Sequence, residues 1–149
     1  MVKKRAKKPK VETDYLEEVY YLDRYHKMIT AAVKTIRRFS KHTHFDAIAF
    51  TGTSGAAIAY PLSLRLNKPL ICVRKRKEKS HYFGRVEGCV DAKSYIIVDD
   101  CVASGRTVKD IVSTISGCKR LKKAKPVGIY LYDTDASLRK TVQKIPRIL

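Results

Sequence analysis

No apolar run in this chain approaches the ~18 residues that a membrane-spanning helix needs, so nothing in it reads as crossing a bilayer. Cysteine is sparse, and Cys72, Cys89, Cys101 and Cys118 form no C-x-x-C pair. Without a secretory context they read as reduced, mostly buried thiols. Zinc finds no obvious home, because His42-Thr43-His44 lacks a partner pair and reads as a polar loop. The opening MVKKRAKKPK carries charge but no apolar stretch of the kind a secretory signal requires, and the expected location is cytoplasmic. There is no internal repeat and no Ser/Gly linker. One domain of 149 residues is implied, long enough to bury about 68–70% of its unfolded surface.

Acidic residues are also scarce: 14 Asp and Glu stand against 32 Lys and Arg, a net charge of +18. Six of the basic residues fall in the first ten positions, where no apolar periodicity accompanies them. Residues 1–10 therefore read as a disordered basic arm and 11–149 as the folded domain. The body without the arm remains strongly basic, with clusters at Arg74–Lys79 and Lys119–Lys125. Such a body concentrates anionic ligands, whether polyphosphates or nucleic acid. No RNP-like aromatic pattern or helix-turn-helix segment is present.

Asp14, with Glu17 three residues later, suits a capping box. From there Tyr15, Val19, Leu22, His26, Ile29, Val33 and Ile36 recur at steps of four and three, which predicts one long amphipathic helix ending near Phe39. On that stripe His26 reads as a core histidine. Phe45–Phe50 predicts a first strand, Ala56 to about Leu66 a helix bent by Pro61, and Leu70–Val73 a second strand. Tyr82–Val90 reads as a hairpin, Val127–Tyr132 as a last strand, and the segment from about Asp135 as a short helix. Strands alternating with helices predict an α/β fold: a mostly parallel twisted sheet with helices on both faces.

The densest information lies in Ile96–Thr107, IIVDDCVASGRT. An apolar strand ends in two carboxylates, Asp99 and Asp100, and a small glycine-containing turn leads into a helix over about Thr107–Ile115. Free N–H groups at such a turn favour phosphate. Carboxylates repel phosphate, so Asp99 and Asp100 suit sugar hydroxyls, or a divalent cation held through water, at a strand end open to solvent. Thr51-Gly52-Thr53-Ser54-Gly55 is a second strand-to-helix turn rich in glycine and hydroxyls, which is also how many ordinary helix starts look.

The IIVDDCVASGRT segment resembles the phosphoribosyl pyrophosphate (PRPP) motif of the type I phosphoribosyltransferases. The resemblance implies ribose binding by Asp99 and Asp100. It implies a 5′-phosphate loop formed by Ala103, Ser104, Gly105, Arg106 and Thr107. Thr53 and Ser54 resemble the family's pyrophosphate loop, and Arg74-Lys75 its basic pair after the second strand. Glu78-Lys79-Ser80-His81-Tyr82 resembles the mobile loop of orotate phosphoribosyltransferase, with Ser80 and Tyr82 departing from its pattern, which makes Lys79 and His81 the catalytic candidates. Tyr132 and Asp133 fall where the nucleobase would sit, although the arginine typical of orotate enzymes is missing there. A small hood region over the sheet and Mg2+ as cofactor follow from the same resemblance. So do PRPP and a purine or orotate as substrates, and a homodimer. The rival on the same fold is a PRPP-sensing regulator that binds nucleic acid, or an enzyme tethered to nucleic acid by its arm.

Overall fold

The computed structural model describes residues 10–13, 15–78, 83–102, 104–133 and 141–149. Its centre is β4 (Ser94–Asp99), whose Tyr95, Ile96, Ile97 and Val98 are almost wholly buried. β1 (Ala47–Phe50) lies parallel on one side of it and β5 (Lys125–Leu131) parallel on the other. Beyond β1 come β2 (Leu70–Val73), also parallel, and β3 (Val86–Gly88), the antiparallel edge. The order is therefore β3-β2-β1-β4-β5. The chain is a single α/β domain with a mostly parallel sheet, as its pattern of alternating elements predicts.

The side-chain period of two divides this sheet between two cores. Ala47, Ala49, Tyr95, Ile97 and Ile129 face α4 (Arg106–Gly117) through Val108, Ile111 and Ile115. Ile48, Phe50, Ile96, Val98 and Tyr130 face α2 (Leu22–Ser40) and α3 (Gly52–Leu66) through Ile29, Val33, Ile36, Ile58 and Leu62. Pro126, which has no N–H to donate, coincides with a register shift: Tyr95 faces Pro126 while Ile96 faces Gly128. No helix among the described residues is long and apolar enough to cross a membrane.

Several expectations are corrected. The long N-terminal helix is two: α1 (Glu17–Tyr20) and α2, separated by Tyr21 in extended backbone. That break resets the phase, so Tyr25 rather than His26 turns inward, its hydroxyl donating to the Ala57 carbonyl, and His26 is exposed. The cap at α1 is Leu16 in the left-handed region, while Asp14 lies outside the described residues. α3 begins at Gly52, four residues early, because a φ of +63° there turns the extended Thr51 straight into the helix. The segment before Val90 supplies one strand, β3, whose hairpin partner is β2. At the C-terminus β6 (Thr141–Val142) pairs antiparallel with β7 (Ile145–Pro146), and the short helix expected from about Asp135 falls on residues outside the described ones. The four free cysteines are half-buried rather than buried.

Gly88 closes β3 at a φ of +96°, and a Cβ there would collide with the Leu70 carbonyl oxygen. Gly117, at the end of α4, has open space where its Cβ would be. Urea unfolding should therefore separate the two substitutions. Gly88→Ala is expected to destabilise by at least ~2 kcal/mol, from left-handed strain plus the clash. Gly117→Ala should be neutral or stabilising by ~0.4–1 kcal/mol. Equal effects would mean that β3 does not need its glycine.

Candidate active site

The carboxyl ends of β1 and β4 lie side by side, and each strand runs into a helix that starts close by. From β1 the chain passes through Thr51, whose buried hydroxyl donates to the Val73 carbonyl at 2.6 Å and so fixes the end of β2 beside it. Gly52, Thr53 and Ser54 then form the first turn of α3, rather than a loop before it. From β4 the chain passes through Asp99 and Asp100 to Ser104 and Gly105; Gly105, at φ +76°, is the residue before α4. Both helices thus aim their first turns, whose N–H groups lack intrahelical partners, at one cleft of about 200 Å³, and the Arg106 N–H reaches the Ser104 hydroxyl at 3.4 Å. Ser54, Lys75, Asp99, Asp100, Ser104, Gly105, Arg106 and Thr107 all line it, as do Tyr15 and Thr51.

Asp99 is not at a solvent-facing end, as its position in the sequence suggested: it is only 5% exposed. Its Oδ1 accepts from the Ser54 hydroxyl at 2.8 Å and from the Asp100 N–H at 3.0 Å. Burial pushes its pKa up to about 6, and the Asp100 charge adds to that, while the Ser54 hydrogen bond opposes it. Asp100 keeps one carboxylate oxygen on the Cys101 N–H at 2.8 Å and also borders a second hollow, of about 720 Å³. That hollow is walled by α1, α2, Tyr132 and Asp133, and Tyr15 stands at the boundary between the two spaces. The Tyr132 hydroxyl is turned away to the Ser54 carbonyl at 2.9 Å, in surroundings whose burial and nearby carboxylates raise its pKa.

The basic pair divides. Lys75 reaches the cleft, its Nζ lying 3.1 Å from where a Gly52 Cβ would stand. Arg74 instead forks onto Glu87, at 2.8 and 3.2 Å, and bonds Glu78 at 2.7 Å. These hydrogen bonds raise its pKa further. It borders a neighbouring hollow of about 600 Å³ together with Thr53 and Lys75. Lys79, His81 and Ala103 lie outside the described residues. Sequence reasoning missed Tyr15 in the cleft, and nothing in its spacing signals it; Thr51 was visible only as a member of the turn before α3.

Chemically, two acceptor carboxylates sit between two anion-seeking helix starts, with an ammonium on one side. No cluster of three or more metal-ligating side chains occurs among the described residues. Two carboxylates are nevertheless the sparse oxygen set with which Mg2+ is held when substrate phosphates complete its shell, so the residues fit that ion as a partner of a polyphosphate substrate.

The chain resembles known proteins in sequence and in fold. A family model described as PRTase-CE matches residues 7–146. An orotate phosphoribosyltransferase of Pyrococcus horikoshii is 31% identical over 148 residues, 90% of this chain and 75% of that protein. An adenine phosphoribosyltransferase of Ureaplasma parvum serovar 3 is 35% identical over 108 residues, and the match covers 62% of each chain, so this chain spans less than two thirds of that relative. Among solved structures, adenine phosphoribosyltransferase of Saccharomyces cerevisiae aligns with a TM-score of 0.62 at 21% identity, covering 79% of this chain and 72% of that one. Its counterpart from Thermoanaerobacter pseudethanolicus gives 0.60 at 20%, covering 83% and 77%. At such identities the structures speak for the fold alone.

The raised pKa of Asp99 has a definite sign in stability. The folded state holds a proton that the unfolded chain releases near pH 4, so the Asp99 contribution is present below about pH 4 and is lost as pH rises through about 6. Asp46, held down to about 2 by His44 and the Lys93 and Ser94 N–H groups, acts oppositely and at lower pH. The difference in unfolding free energy between wild type and Asp99→Asn should therefore shift against the wild type between pH 4 and 6. A difference that stays flat across that window would mean that Asp99 titrates normally.

Proposed function

The chain belongs to the type I phosphoribosyltransferase family, and from that premise we propose that it transfers the 5-phosphoribosyl group of PRPP to a nucleobase. The products are a nucleoside monophosphate and pyrophosphate, and the base is a purine or orotate. One observation carries the reading: a carboxylate pair shares a cleft with the first turns of two helices and a lysine. A sugar with phosphate at both ends needs that arrangement, with acceptors in the middle for its hydroxyls and donors at each end.

In this reading Asp99 and Asp100 accept hydrogen bonds from the ribose hydroxyls. The segment from Ala103 to Thr107, at the start of α4, takes the 5′-phosphate. Thr53, Ser54 and Lys75 take the pyrophosphate, and Arg74 joins them by exchanging a carboxylate of Glu78 or Glu87 for it. The C1–O bond to pyrophosphate breaks as a ring nitrogen of the base bonds to C1, and positive charge develops on the sugar between them. Asp99 and Asp100 lie on the sugar side, where their negative charge favours that development. Asp99 and Asp100 would hold Mg2+ through water, and the ion would supply charge neutralisation for the pyrophosphate. Lys79 and His81 are proposed to close over that group and exclude water. The hollow beside Asp100, with Tyr132 and Asp133 in its wall, is proposed for the base. Residues 1–10 are proposed as a basic arm that attracts nucleic acid without sequence preference. A homodimer and a cytoplasmic location, where free thiols stay reduced, complete the proposal.

The test is an assay with PRPP and Mg2+ against adenine, guanine, hypoxanthine, xanthine, orotate and uracil. At least one base should yield its nucleoside monophosphate. Asp100→Asn should lower kcat/KM about 10–100-fold, the worth of one hydrogen bond to a charged group. Lys79→Ala should lower kcat more than it weakens PRPP binding. No product from any base, together with no effect of PRPP on the melting temperature, would end this reading.

A further inference from the structure

At the amino end of the sheet, opposite the cleft, lies a second charged feature that the proposed reaction leaves unused. α2 ends at Ser40 shortly before β1 begins, and α3 ends at Leu66 shortly before β2 begins. The closing turns of both helices therefore meet far from Asp99 and Asp100, which sit at the strands' carboxyl ends. Between those turns is a hollow of about 430 Å³ lined by Lys34, Arg37, Arg38, Lys41 and Arg65, all exposed, with Thr30 and Val33. Among the described residues no carboxylate side chain lines it, and none forms an ion pair with these five.

Compensation of helix dipoles accounts for part of this charge. Arg37 and Arg38 occupy the last turn of α2 and Arg65 that of α3, where a cation is worth ~0.3–1 kcal/mol. Lys34 lies before that last turn, beyond the reach of the effect. Two of the guanidinium groups are also anchored. Arg37 donates to the Arg65 carbonyl at 3.0 Å and Arg38 to the Leu149 main-chain oxygen at 2.7 Å. The Arg37 bond reaches from α2 to α3, so like charges of both helices share the hollow, an arrangement that favours an anion between them.

We propose that this hollow is a docking surface for the sugar-phosphate backbone of a nucleic acid. Lys34, Arg37, Arg38 and Lys41 recur at steps of three, one and three, so they form a single stripe on α2. At a rise of ~1.5 Å per residue the stripe is roughly 10 Å long. Phosphates advance ~3.4 Å along the axis per nucleotide of one strand, so the stripe faces about three of them, and Arg65 widens it from the side. The lining carries no aromatic ring for stacking on a base, so the surface reads charge and not sequence. It acts in addition to the arm of residues 1–10 and independently of the transferase reading.

The experiment measures binding of the full-length chain to fluorescein-labelled RNA and duplex DNA of mixed sequence, by anisotropy, across a salt series. Affinity should fall linearly with salt on logarithmic axes. The Lys34→Ala/Arg37→Ala double variant should flatten that slope by about 2, equally for all sequences, while phosphoribosyl transfer is unchanged. The charge-conserving pair Lys34→Arg/Arg37→Lys should keep the wild-type slope, and thermal melting reports whether each variant folds. No binding by the wild type would overturn the proposal. So would a slope the double variant leaves unaltered, or salt dependence that disappears entirely on deleting residues 1–10. Displacement of the oligonucleotide by inorganic phosphate at an equal phosphate concentration would assign the hollow to small anions and overturn it as well.

Discussion

The hydrogen bond from Ser54 to Asp99 is the contact on which the rest of the site depends. It joins the first turn of α3 to the end of β4 across 45 residues of chain, and it is possible only because the helix comes very close to the sheet. Gly55 shows how close: a Cβ there would stand 3.0 Å from the Phe50 Cβ and 3.3 Å from the Val98 carbonyl oxygen. With α3 pressed down in this way, Asp99 is roofed over, its carboxylate is desolvated and its pKa rises. The same closeness brings the α3 N-terminus into the cleft that the α4 N-terminus already faces. Tyr132 reinforces the contact from β5's end by donating to the Ser54 carbonyl.

A buried carboxylate held only by a hydroxyl and an N–H is under-solvated, and that has a chemical use. Hydrogen-bond donors that reach such an acid restore the solvation that folding removed, so they bind more strongly than they would to an exposed acid. Lys75 is in a matching position. Its ammonium rests against the α3 helix start, where the dipole is positive, and only an anion placed between them relieves that repulsion. Arg74 shows the alternative, a cation satisfied by Glu78 and Glu87 in the same chain. Of two adjacent basic residues, one reaches the cleft and the other is held outside it by its own carboxylate partners.

Much of the frame was legible from side-chain types. Tyr95 to Val98 announce a strand buried on both faces, and Val108, Ile111 and Ile115 recur with the period of a helix covering it. Local pattern failed where the outcome depends on distant contacts. Whether Asp99 faces water depends on Ser54, and no spacing rule reaches that far along the chain. Tyr21 interrupts the N-terminal helix without glycine or proline to mark the place, and the inward phase moved from His26 to Tyr25 as a result. Gly52 reads as part of a loop yet opens α3, because its left-handed φ supplies the turn itself. The pairing of Thr141–Val142 with Ile145–Pro146 involves strands too short to show any alternation.

The parallel sheet also explains why charge of opposite kinds can coexist in a chain carrying +18. Every parallel strand delivers its carboxyl end to the same side, so Asp99, Asp100 and the two helix starts collect there. Every helix that returns to the sheet must finish on the other side, and helix ends favour cations. Lys34, Arg37, Arg38, Lys41 and Arg65 therefore collect away from the carboxylates, separated from them by the length of the strands. At physiological ionic strength the Debye length is about 8 Å, and β4, with six residues at about 3.3 Å each, is more than twice that long. The basic end consequently leaves the electrostatics of the cleft largely undisturbed, and a chain this basic can still keep a carboxylate pair in that cleft.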